Sequence, residues 1–124
     1  MKYRIAIGLA LAAAPLSSAL AMPVSTFLQK ADALQRKGPL AMFSGDLKLL
    51  MNQVKADSVQ LRVENQAAAA AGRPKAYCTP GAGVQVGHKE VLAAMRAVPA
   101  AQRARTTTRQ ALRAYFARNY PCKV

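Results

Sequence analysis

The chain has 124 residues, with 18 Lys and Arg against five Asp and Glu and a formal charge of +13. That length supports one domain with a modest core, and one His with two Cys is too small a ligand set for a metal site of recognisable spacing. Charge of this size in a cytoplasmic protein would be the footprint of nucleic-acid binding, so the compartment decides how the charge is read.

Residues 1–21, MKYRIAIGLALAAAPLSSALA, have the pattern of a secretion signal. Lys2 and Arg4 form a charged start, residues 5–14 an apolar run, Pro15 a break, and Ala19-Leu20-Ala21 a small-x-small cleavage site. An apolar run of about ten residues is half of the roughly 20 that a membrane-spanning helix needs. Cleavage is expected after Ala21, which leaves residues 22–124 as a single domain carrying a charge of about +11. In a periplasmic or secreted protein nucleic acid is not the expected partner. Anionic envelope polymers, lipid head groups or an acidic protein surface are. The charge is lopsided: residues 22–72 balance to +2, whereas residues 73–124 hold ten cations and only Glu90.

The periodicity predicts a first helix over 27–37, capped by a Thr26–Gln29 box, with Phe27, Ala31 and Leu34 on one face. Gly38-Pro39 stops it, and 39–43 is expected to make one short turn. Ser44 offers an N-cap to a long helix of about 27 residues, whose stripe is Leu47, Leu50, Met51, Val54, Ser58, Leu61, Asn65 and Ala68. Gly72-Arg73-Pro74 ends it. Residues 73–87, with three Gly and two Pro, read as an irregular loop. A third helix is expected over 89–98, with Val91, Leu92, Met95 and Val98 inward and Pro99 at its end. A fourth, starting between 100 and 108, has a Thr107–Gln110 capping box and an edge of Leu112, Tyr115, Phe116 and Asn119. Four helices and no convincing strand predict an all-α, four-helix domain.

Cys78 and Cys122 are the only cysteines. An even count in an exported chain favours a disulfide over two free thiols, and the 44-residue separation is far from the C-x-x-C spacing of a redox pair. Little else suggests catalysis. His88 has only Glu90 near it in sequence, and the five acids form no close pair. Neither a phosphate-binding Gly loop nor a G-x-S-x-G elbow is present, so no enzyme activity, cofactor or metal is expected. Arg105, Arg109 and Arg113 repeat at i, i+4, i+8 and are expected to line one ridge of the last helix. That ridge could grip phosphates or carboxylates, or be an ordinary solvated face. Tyr77 could anchor an interface or pack over the disulfide.

Four segments together carry a resemblance: STFLQKADALQRKG at 25–38, AMFSGDLKLL at 41–50, AYCTPG at 76–81 and NYPC at 119–122. Their arrangement resembles small exported helical proteins of the Rap/Tai type, which are immunity proteins against type VI secretion amidase effectors. The resemblance implies a periplasmic helical domain with a Cys78–Cys122 bridge, a homodimer, and a loop that obstructs the cleft of a peptidoglycan amidase. The loop nominated for that role is 77–87 with the residue after it, naming Tyr77, Thr79, Val84, Gln85 and His88. The alternative is a cationic envelope-associated protein that binds anionic lipid or lipopolysaccharide phosphates through Arg105, Arg109 and Arg113.

Overall fold

A computed structural model describes residues 21–81 and 86–123. Among them are four α-helices: α1 (Val24–Lys37), α2 (Gly45–Ala70), α3 (His88–Arg96) and α4 (Thr108–Asn119), with 3-10 turns at Gly38–Phe43 and Ala100–Gln102. The only extended pairing among the described residues is an isolated bridge between Pro23 and Thr107. The domain is all-α and carries the Cys78–Cys122 disulfide. No helix among the described residues is long and apolar enough to cross a membrane.

Local signals account for most of the boundaries. Ser44 caps α2 by accepting the Asp46 N–H at 3.3 Å, and Asp46 pairs with Lys30 of α1 across 3.3 Å. Gly38 takes a φ of +57°, a conformation that costs a glycine nothing and lets the chain leave α1 sharply. At α4 both halves of the capping box form: Gln110 N–H donates to Thr107 Oγ1, and Thr107 N–H donates to Gln110 Oε1. Thr107→Ala is therefore expected to cost about 1 kcal/mol in a urea titration. Thr107→Ser, which keeps the acceptor, should recover most of that loss.

The start of α1 departs from the sequence expectation. The helix begins at Val24, two residues before Thr26, and no side chain caps it. Carbonyls from the α3–α4 connection take that role. Val24 N–H donates to Thr106 O at 2.8 Å and Ser25 N–H to Arg103 O at 3.0 Å, while Thr108 N–H donates back to Met22 O at 2.9 Å. Three bonds thus fasten residues 22–25 to the head of α4. They satisfy backbone groups that would otherwise lie buried beside the fully enclosed Val24.

One apolar cluster draws on all four helices, through Phe27, Leu28 and Leu34 of α1, Leu50 and Leu61 of α2, Val91 and Met95 of α3, and Leu112 and Phe116 of α4. Leu92, Val98 and Tyr115 are half-buried at its edge. Asn119 is exposed, and its amide donates to Tyr115 O, so it belongs to the end of α4 and not to its apolar edge. Met51, placed inward by the predicted stripe of α2, is 64% exposed. The helix is turned so that Asp57 lies inside instead.

Candidate functional site

The loop that follows α2 is built around Asn65. Its side-chain amide donates to Tyr77 O at 2.8 Å and its oxygen accepts from Ala76 N–H at 3.0 Å, so one residue of α2 holds two peptides of the loop, one on either side of the Ala76–Tyr77 bond. Cys78 N–H donates to Tyr120 O at 2.8 Å, and the disulfide fixes the same point to the chain after α4. Tyr77 is therefore inside the fold. Its ring lies 5.0 Å from that of Phe116, which in turn meets Tyr115 and Tyr120. Burial pushes the Tyr77 phenol up from its ordinary pKa, against the pull of Arg62 and Arg113. Of the two roles open to Tyr77, the structure places it in packing, and it is not displayed as an interface anchor.

Thr79 is exposed at the mouth of a recess of about 360 Å³ that Arg62, Asn65 and Lys75 also line, with Tyr77 and Phe116 as its apolar wall. Val84 and Gln85 lie outside the described residues. His88 opens α3 and is exposed. It borders an open apolar groove of about 740 Å³ between α1, α2 and α3, whose walls include Leu34, Leu47, Met51 and Leu92. The three described residues of the nominated loop, Tyr77, Thr79 and His88, thus divide among the interior, a polar recess and an apolar groove.

The arginine ridge does not form as expected. α4 begins at Thr108, so Arg105 lies in the turn before it and not in line with the other two. Arg109 and Arg113 face α2 and converge on Glu64, at 3.9 Å and 2.7 Å. The acid that the sequence lacks after Glu90 is supplied by another helix. Arg103 is likewise structural: its guanidinium donates to Val98 O at 2.9 Å and Arg96 O at 3.1 Å, which satisfies carbonyls at the end of α3. Arg96 itself lies 3.7 Å from Asp32.

Two features escaped the sequence reading. Asp57 is 6% exposed and accepts the Thr108 hydroxyl on one oxygen and Gln53 Nε2, at 3.0 Å, on the other. Burial raises its pKa above the ordinary carboxylate range, opposed by those two hydrogen bonds and by Arg109. The network ties the middle of α2 to the first residue of α4. The Gly38–Phe43 turn carries the second feature. Leu40, Met42 and Phe43 are 71%, 79% and 89% exposed, a ledge of large apolar side chains at the α1–α2 junction. The sequence signal for it was a Pro-initiated turn too short to bury three bulky residues.

Among the described residues, no group of three or more His, Cys, Asp or Glu side chains is placed to hold a metal ion. No protein-family model, curated protein or solved structure matches the chain.

Proposed function

We propose that this chain is a non-enzymatic, exported binding protein, and specifically an immunity-type inhibitor of a peptidoglycan amidase effector. The ledge of Leu40, Met42 and Phe43 carries the reading. A small domain that leaves three large apolar side chains within four residues in water has a surface adapted to be covered by a partner. The signal-like residues 1–21 and the disulfide support an oxidising compartment outside the cytoplasm. The resemblance of segments 25–38, 41–50, 76–81 and 119–122 to the Rap/Tai type supplies the amidase. The rival reading, anionic lipid or lipopolysaccharide bound along the last helix, loses its ridge to Glu64 and is the weaker of the two.

Co-expression with cell-wall amidase effectors, followed by capture from the periplasm, tests the proposal. Protection against at least one amidase and its co-purification are expected. Phe43→Asp should abolish capture while changing the unfolding free energy by less than about 0.5 kcal/mol, because the side chain is already in solvent. An exported protein that protects against no amidase and captures none would overturn the reading.

A further inference from the structure

The solvent side of α2 carries a seven-residue repeat separate from the face that packs on the core. Leu49, Ala56, Val63 and Ala70 recur at every seventh position, with Asn52, Val59 and Gln66 three residues after the first three of them. All seven are exposed, Leu49, Val59 and Val63 at 45–50%. The core face is the opposite one, with Leu50, Asp57, Leu61 and Ala68. A helix of 26 residues, about 39 Å long, thus presents a stripe to water that contains no charge, on a chain where nearly one residue in five is charged. The stripe runs beside a groove of about 680 Å³ between α2 and the head of α4, with Leu49, Ala56, Val59, Thr107 and Arg109 among its walls.

Seven-residue spacing is the periodicity of helix-on-helix packing, because it keeps one seam facing a partner helix. Apart from Leu49 at its start, the side chains on the seam are small or medium in size. Ala56 and Ala70 allow close approach of a second helix, whereas insertion into a lipid surface calls for bulky apolar anchors. The flanks then decide which helix fits. Lys48, Lys55 and Arg62 each precede one repeat and form a row of exposed cations along one edge. Along the other edge, at the equivalent positions, stand Gln53, Gln60 and Ala67. Flanking positions of this kind set partner choice through opposite charges.

A second copy of the chain does not supply those charges. Antiparallel pairing of two α2 helices sets the cation rows against each other, and parallel pairing sets them against Gln53, Gln60 and Ala67. The nearby acids are already engaged, Asp57 with Thr108 and Gln53, and Glu64 with Arg113 and Arg109. We propose that the solvent face of α2 is a docking site for an amphipathic helix of another protein, apolar along its seam and acidic along its flank. This goes beyond the amidase reading: it requires a protein partner, whatever that partner's activity.

The probe is a synthetic three-heptad peptide with Leu along the seam and Glu on both flanks, titrated into the purified protein by fluorescence anisotropy. A second peptide, identical except for Lys on the flanks, is the control. Saturable binding of the Glu peptide is expected, at least about tenfold tighter than the Lys peptide. Val63→Glu, and separately Lys55→Glu with Arg62→Glu, should each weaken it by about tenfold or more. These positions are exposed, and unchanged circular dichroism and melting temperature would show that each variant folds. Absence of binding, equal binding of both peptides, or binding unaffected by Val63→Glu would overturn the proposal. So would a concentration-dependent dimer, or attachment to phosphatidylglycerol vesicles, that Val63→Glu abolishes, since either would assign the face to another occupant. The titration uses no amidase, so its failure leaves the immunity reading standing, and failure of the immunity assay leaves this one standing.

Discussion

Replacing Cys78 and Cys122 together by serine is expected to lower the unfolding free energy by about 4 kcal/mol, the chain-entropy value for a loop of this length. The bridge closes 44 positions of chain, from the loop after α2 to the residues after α4, across a Cα–Cα distance of 4.8 Å. For a domain of this size the loss corresponds to a fall of about 15–30 °C in melting temperature. Among the described residues, few other forces hold the loop. Asn65 grips two peptides and Tyr77 packs on Phe116, but the segment 73–76 is exposed throughout. Urea titrations of the wild type with and without reductant, beside the double variant, measure the effect. A change under 1 kcal/mol would mean that the loop is held by its other contacts and that the bridge constrains little (roughly the margin expected for one ordinary substitution).

Asp57→Ala should be the most damaging single substitution among the polar residues, at about 2–3 kcal/mol, because it deprives the buried Thr108 hydroxyl of its acceptor. Asp57→Asn is expected to stay within about 1 kcal/mol of the wild type at pH 7, since an amide oxygen can still accept from Thr108 and no charge is buried. The pH dependence follows from the raised pKa. Between the ordinary Asp value, ~3.9, and the higher value in the fold, the native state holds more protons than the unfolded chain. Stability from this group therefore rises as pH falls through that window and is fully gained below it. The difference in stability between wild type and Asp57→Asn should move in favour of the wild type on acidification from pH 7. A difference that is flat with pH, or an Asn variant as unstable as the Ala variant, would contradict the account.

Much of the architecture was legible because its causes are local. Ser44, Gly38, the Thr107–Gln110 box and Pro99 act on their own neighbours, and each element they bound is present. Several of the misreadings share one cause, which is a partner far away in sequence. Thr26 was credited with a cap that Thr106 and Arg103 provide through backbone carbonyls. Arg109 and Arg113 looked unopposed until Glu64, 49 positions from Arg113, was placed beside them. Asp57 drew no reading of its own from the sequence, because Thr108, 51 positions away, is what makes its burial tolerable. Tyr77 was ambiguous for the same reason, since only the fold brings Phe116 beneath it. The second repeat on α2 was present in the sequence, but the core stripe of Leu residues is stronger and masks it.

The bonds between residues 22–25 and 103–108 set an order of events for folding. The start of the first helix gains these bonds only when the last quarter of the chain is available, and the cysteine at 78 must wait for the one at 122. Long-range closures of this kind delay the native state relative to chain synthesis. The N-terminal end of the domain is thus closed by its C-terminal part, and this pairing forms only after the last quarter of the chain has been made.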